Sequence, residues 1–527
     1  MEGITMSDVS GNVGGNLFEL FRSRFPADRS RPFAETEPGT DNARTVTYGD
    51  LEALTGRYAN LLADLGLKKG DRVAVQVEKS VENIILYLAT VRAGGVFLPL
   101  NPAYTKAEVE YFLTDAEPHV FVARPESADA LREVADKAKV AHLLTLGTHG
   151  EGTLPEQAAG KGTDFTTVPA EADDLAAILY TSGTTGRSKG AMMSHRNLGS
   201  NALTLHKYWG FQPDDVLLHA LPIFHTHGLF VATNCVLLNG SSMLFLPKFD
   251  AEQVMGLLPR ATVMMGVPTF YTRLLAHPGL TREATAHMRL FVSGSAPLLA
   301  DTHKEFSART GHAILERYGM TETGMLTSNP LDGDRIPGTV GFPLPEVSVR
   351  VVNPETGASL GTDEIGIIEV AGPNVFSGYW RMPEKTTQEI KPDGFFITGD
   401  VGKVDGRGYV HIVGRAKDLI ISGGFNVYPK EVETVIDGID GVVESAVVGV
   451  PHPDFGEAVT AVVLRKPGSA TPDEAAVIAV CKEQLANFKV PKRVFFMDEL
   501  PRNAMGKVQK NLLRDAHKDL FTAAKAR

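Results

Sequence analysis

Thr181-Ser182-Gly183-Thr184-Thr185-Gly186-Arg187-Ser188-Lys189-Gly190 directly follows the apolar segment Leu175 to Tyr180. Its three glycines let backbone N–H groups turn inward, while its hydroxyls, Arg187 and Lys189 add donors and positive charge. Phosphate oxygens are held by such surroundings. The run departs from the Walker A pattern, because Gly183 and Gly186 stand too close and Lys189 is followed by Gly190 rather than by Ser or Thr. An ordinary P-loop nucleotidase is therefore not indicated. Taken alone, the run also admits a reading as a flexible polar turn between two strands.

Outward from this run, helical and strand periods alternate. Thr47 caps a helix with Asp50 in its first turn and Leu51, Leu54, Tyr58, Leu61, Leu62 and Leu65 on one face. A strand over Arg72 to Val77, a helix over Val81 to Arg92 and a strand over Val96 to Leu100 follow. Alternation to about residue 300 predicts an α/β fold, with parallel sheets covered by helices. After Arg335 short β-like runs, Val347 to Val352 and Gly366 to Val370 among them, predict a small β-rich subdomain. Beyond Lys417 a separate α+β unit is expected, with a helix near Pro429 to Ile436, strands near Val442 to Val450 and Ala458 to Leu464, and a helix near Asp473 to Leu485. The expected division is thus 1–416 and 417–527, with a hinge at Arg415 to Asp418.

Bulk properties narrow the partners. With 52 basic and 63 acidic residues the net charge is −11, which argues against a nucleic-acid backbone or an anionic membrane as the main partner. Cys235 and Cys481 lie far apart with no metal-binding spacing, as suits a reducing cytoplasm. Met1 to Asn16 lacks the basic and apolar regions of a signal peptide and is expected to be a loose extension. Val216 to Pro247 contains no Asp, Glu, Lys or Arg, yet Pro222, three histidines, Asn234 and Asn239 interrupt it. A buried strand and core helix are expected there, not a membrane span.

Three further stretches carry chemistry. Tyr318-Gly319-Met320-Thr321-Glu322 joins an aromatic face to a hydroxyl and a carboxylate, enough to stack a base, touch a phosphate and hold a hard cation. The same residues also fit a helix start capped by Thr321. Asp400, at the end of an apolar strand, is placed to accept hydrogen bonds from vicinal ribose hydroxyls, and equally to sit in a Gly-Asp turn. Pro501-Arg502-Asn503-Ala504-Met505-Gly506-Lys507 would project a lysine from a loop, a compact charge suited to a developing anion.

Seven runs, TSGTTGRSKG at 181, FHTHG at 224, GVPT at 266, SGSAP at 293, YGMTE at 318, ITGD at 397 with GRAKD at 414, and PRNAMGK at 501, occur in the order found in the adenylate-forming superfamily of acyl-CoA synthetases, adenylation domains and luciferases. The chain resembles that superfamily from about Asn16 to Leu520. The resemblance implies an N-terminal AMP-binding domain, a mobile C-terminal domain carrying the catalytic Lys507, and two half-reactions: a carboxylate and ATP give an acyl-adenylate, then CoA displaces AMP. It implies that ATP or AMP is held by Thr181, Ser182, Gly183, Thr184, Thr185, Gly186 and Lys189, by Ser293, Gly294, Ser295, Ala296 and Pro297, by Glu316, Arg317, Tyr318, Gly319, Met320 and Thr321, and by Asp400, Arg415 and Lys507. Thr321, Glu322 and Lys507 are the implied catalytic residues, with Mg²⁺ on Glu322. Lys417 occupies the hinge position, where many relatives carry Asp, and Ser422, Gly423 and Gly424 lie near the CoA path. A lysine acetyltransferase and deacetylase acting on Lys507 are implied partners. An adenylation enzyme loading a carrier protein and a non-catalytic nucleotide sensor are the alternatives.

The acyl substrate is read from finer detail. HALPIFHTHGLFVATN at 219 and GVPTFYTRLL at 266 resemble the malonate-activating branch of the superfamily, which implies malonate, with methylmalonate second. A second carboxylate buried beside the first needs a cation, and His225, His227 and Arg273 are the expected donors, with Lys248 in reserve. Helical spacing after Val267-Pro268 places Arg273 about one turn beyond Thr269, on the same face. If those residues serve only structure, another short- or medium-chain acid is the substrate.

Overall fold

The computed structural model describes residues 15–181, 188–466, 472–503 and 505–521. They form two compact units: the first runs to Ser348 and includes Ala371–Phe396, and the second comprises Val349–Val370 and the chain from Ile397 on. The expected boundary at Lys417 thus falls inside the second unit.

Among the described residues, the first unit contains two large sheets. The six-stranded one runs in the order His142–Thr145, Val120–Ala123, Arg72–Gln76, Val96–Pro99, Leu175–Thr181, Lys189–Ser194 and is parallel except for its last pair. The nine-stranded one has a parallel centre, Leu315–Met320, Leu290–Ser293, Val263–Gly266, Val216–His219, Ser242–Phe245 and Pro32–Thr36, with antiparallel pairs at both edges. Central strands such as Val263–Gly266 and Leu290–Ser293 are buried throughout, because helices cover both faces of a parallel sheet. The helix Tyr48–Asp64 starts where Thr47 and Asp50 form a capping box, as the sequence predicts. The uncharged stretch from Val216 folds as a buried strand, a π-helical turn over His227–Thr233, the helix Asn234–Asn239 and the strand Ser242–Phe245. No helix among the described residues is long and apolar enough to cross a membrane.

In the second unit, Ser348–Val352, Gly366–Ala371, Phe396–Val404 and Val410–Arg415 form the four-stranded sheet of the expected β-rich part. The hairpin Ile420–Ser422 and Phe425–Val427 belongs to a five-stranded sheet with Gly456–Arg465, Val442–His452 and Arg493–Met497. The helices Pro429–Asp437 and Glu474–Gln484 pack on it through Val432, Ile436, Val477 and Cys481.

Candidate active site

Four of the seven motifs follow four neighbouring parallel strands at their C-terminal ends. FHTHG follows Val216–His219, GVPT follows Val263–Gly266, SGSAP begins at the end of Leu290–Ser293, and YGMTE ends Leu315–Met320. Ligands of open parallel sheets collect at that edge, where loops rather than side-chain layers fill the space. The YGMTE run is not a helix start. It crosses from one strand into an antiparallel partner, Gly324–Ser328, through a turn at Thr321–Thr323, with a bulge between Tyr318 and Gly319. Gly319 is needed there, since a Cβ would lie 2.1 Å from the Gly324 carbonyl oxygen.

The phosphate run is bracketed by the antiparallel strands Leu175–Thr181 and Lys189–Ser194, with Thr181 opposite Lys189. Ser182, Gly183, Thr184, Thr185 and Gly186 lie outside the described residues. Lys189 Nζ stands 3.1 Å from Glu389 Oε1 and 4.0 Å from the centre of the Tyr379 ring. The Tyr379 hydroxyl donates to Glu389 Oε2 at 2.6 Å and lies 3.1 Å from Glu322 Oε1. One network therefore links Lys189 to the carboxylate expected to hold Mg²⁺. Sequence reasoning missed Tyr379 and Glu389, because the short helix Pro383–Glu389 that brings Glu389 is remote in sequence from both partners. Glu322 is one buried carboxylate joined to Lys189 through Tyr379 and Glu389, and no group of three or more His, Cys, Asp or Glu among the described residues could hold a metal. That suits Mg²⁺, which takes few carboxylates together with substrate phosphates.

The SGSAP side is different in character. Ser295 takes a left-handed φ of 71°, a conformation that costs a non-glycine residue free energy, and its Oγ is 3.2 Å from His227 Nδ1. His227 and His225 are held neutral: burial first, then the Arg317 cation, pushes His225 down to about 4 and His227 well below the usual range. Arg317 is 3% exposed, and burial lowers its guanidinium to about 9. Its neighbour Glu316 faces away and accepts the Leu298 N–H at 3.2 Å, bracing the loop after Pro297. Arg273 is not brought to this group. The helix Pro268–Ala276 buries Tyr271 and Leu274 and leaves Arg273 exposed, and Lys248 is exposed as well.

In the second unit, Asp400 and Arg415 are paired across the strands Phe396–Val404 and Val410–Arg415, with Arg415 Nε 2.7 Å from Asp400 Oδ1. Lys507 keeps an exposed side chain yet stands among Arg415, Asp400, Lys417 and Asp418. Crowding by protein, then the Arg415 cation, brings its ammonium down to about 8. Among the described residues of its loop, Asn503 Oδ1 accepts the Met505 and Lys507 N–H groups, Arg502 donates to the Gly506 carbonyl at 2.8 Å and pairs with Glu444, and Gly506 has φ 74°. Ser422 is buried, and Gly423 and Gly424, with φ 61° and 83°, form the hairpin turn.

Residues 24–380 match the AMP-binding enzyme family, and residues 431–507 match the AMP-binding enzyme C-terminal domain. The chain belongs to the AMP-binding enzyme family. It superposes with a TM-score of 0.93 on the crystal structure of ATP-bound MatB from Rhodopseudomonas palustris, to which it is 62% identical, with 96% of this chain and 99% of that chain covered. A malonate–CoA ligase of Arabidopsis thaliana is 33% identical, with 95% of this chain and 89% of that protein covered. A feruloyl-CoA synthase of an Amycolatopsis species is 36% identical, with 93% and 98% covered.

Proposed function

We propose that the chain is an ATP-dependent, AMP-forming acyl-CoA synthetase whose substrate is malonate, with methylmalonate second. Malonate and ATP give malonyl-adenylate and pyrophosphate; the CoA thiol then attacks the adenylate carbonyl, and AMP leaves. A carboxylate is a poor acyl donor because its oxygen leaves badly, and AMP supplies the better leaving group. Lys189 and Thr321 bind phosphate oxygens, Tyr318 lies against adenine, and Asp400 with Arg415 holds the ribose. Glu322 would hold Mg²⁺, which supplies charge neutralisation on the phosphates. Lys507 offsets the negative charge that builds between carboxylate and α-phosphate in the first half-reaction, so its protonated form is the active one. The segment 417–527 turns about Lys417 between the halves, and the Ser422–Gly424 turn then faces CoA. Acetylation of Lys507 by a lysine acetyltransferase would remove the charge and switch the enzyme off, and a deacetylase would restore it. The setting is cytoplasmic.

One observation carries the choice of malonate. Where we place the acyl group, the first unit carries a polar cluster, buried His227 and half-buried His225, both held neutral, near the buried Arg317 cation, and a site for a fatty or aromatic acid would be apolar there. This sets malonate above the feruloyl-type acid that one relative's name suggests. The test is wild-type thioester formation with malonate, acetate, butyrate, octanoate and ferulate at equal concentration. Malonate is expected to have the highest kcat/KM; any other acid ahead of it overturns the substrate, and absent pyrophosphate exchange with every acid overturns the ligase reading.

A further inference from the structure

Lys507 keeps an exposed side chain, so its direction is set mainly by the loop that carries it. That loop closes on itself. The Asn503 N–H donates to the Lys507 carbonyl and the Gly506 N–H to the Asn503 carbonyl, each at 2.9 Å. These bonds fix the shape of the loop and leave open how it stands on the second unit. Arg502 supplies that link. One end of its guanidinium, Nη1, donates to the Gly506 carbonyl inside the loop at 2.8 Å, and the other, Nη2, pairs with Glu444 near the start of the strand Val442–His452.

The far flank of the loop is held in the same manner. Lys510, which opens the helix Lys510–His517, places Nζ 2.5 Å from Glu433 Oε1, and that oxygen also accepts the Val447 N–H at 2.9 Å. A third acid stands close by: burial first, with Glu433 and Glu444 adding to it, raises Asp437 to about 7. Acids gathered on one face repel unless cations stand among them, and Arg502 and Lys510 bring two such cations from the two flanks of the loop. Beneath them Leu500, Val508 and Leu513 pack in one apolar cluster with Ala446 and Val448. Apolar packing has no direction and holds the flanks, whereas the two-ended arginine is directional and sets the tilt of the loop.

We propose that Glu444 is a positioning residue for adenylate formation: through Arg502 it fixes the direction in which the loop presents Lys507, and Glu433 with Lys510 steadies the other flank. The proposal rests on Lys507 acting in the first half-reaction and is independent of which acid is activated. A point charge carried at a loop tip is sensitive to small tilts, and a misplacement of about 1 Å caused by a change remote from the chemistry can cost about 100-fold in rate. The second half-reaction does not use Lys507, so the tilt of the loop leaves it unaffected.

The experiment measures adenylate formation by pyrophosphate exchange, and thioester formation from supplied acyl-AMP and CoA, with the acid that wild type uses best. The proteins are full-length wild type, Lys507→Ala, Glu444→Gln, Arg502→Met and the Glu444→Gln/Arg502→Met double variant. Glu444→Gln is expected to lower adenylate formation at least about fivefold and to leave thioester formation within about twofold. The alkaline limb of its adenylation, set at about 8 by Lys507 in wild type, should move up as the ammonium leaves the Arg415 and Lys417 cations. The double variant should stay within about twofold of Arg502→Met, since Glu444 acts through Arg502. If Glu444→Gln does not fold, Glu444→Asp, which keeps the charge but withdraws it by one methylene, is read against the same limits. A smaller loss in a folded variant, an equal loss in both halves, an unmoved limb, or losses that multiply in the double variant overturns the proposal and leaves Lys507 in its role. If Lys507→Ala itself keeps adenylate formation, the reading of Lys507 falls and the proposal with it.

Discussion

Lys507 was legible in the sequence as one basic residue among 52, singled out by its motif, but its electrostatic setting was not. Its ammonium titrates at about 8 because protein crowding and Arg415 oppose its charge. The charged form exists below that value, so adenylate formation in the free enzyme should decline as pH rises through about 8, seen as kcat/KM. Thioester formation from supplied malonyl-AMP should lack that alkaline limb. Lys507→Ala should lower the first half-reaction by about 100-fold or more and leave the second within severalfold. Equal loss in both halves would remove Lys507 from the adenylation step. Arg273 shows the opposite case at the same scale. Helical spacing from Thr269 aimed it inward, whereas packing chose the face of Tyr271 and Leu274, two apolar residues whose burial outweighs any single polar placement.

At the scale of the element, the Ala416–Asp418 segment is a single 3-10 turn, a conformation whose usual φ a proline can adopt. The arrangement it holds sets Lys507 beside Asp400 and Arg415. Lys417→Pro should therefore preserve adenylate formation and slow thioester formation from supplied malonyl-AMP by about tenfold or more, because it removes the torsional freedom a hinge needs. Similar loss in the two halves would mean that Lys417 is an ordinary linker residue. The YGMTE run is also decided at this scale. Thr321 as a helix cap and Thr321 in a strand–turn–strand are locally equivalent, and the pairing of Leu315–Met320 with Leu290–Ser293 on one side and Gly324–Ser328 on the other settles it for the strand.

Across the whole molecule, acid should destabilise the first unit through histidines that are buried neutral. His195, 2% exposed, accepts the Leu17 N–H on Nδ1 at 3.0 Å, and burial pushes it down to about 4. His219 and His227 are pushed well below the usual range for the same reason. Between that depressed folded value and the unfolded value near 6.5 the unfolded chain binds more protons, so the stability these groups contribute is present above about 6.5 and is lost as pH falls. Each one contributes at most about 1.4 kcal/mol per pH unit in that window. Thermal melting should therefore begin several degrees lower at pH 5 than at pH 7.5, with loss of adenylation accompanying it; an unchanged melt would show that these rings are already protonated in the fold. The sequence by itself determined the α/β alternation, the motif order and the place of Lys507 in its motif, because period and motif spacing are local properties of a chain. Only the tertiary structure decided that Arg502 meets Glu444, that Glu389 and Tyr379 join Lys189 to Glu322, and that Asp400 meets Arg415. Such pairings depend on residues brought together from distant parts of the chain, and no local pattern records them.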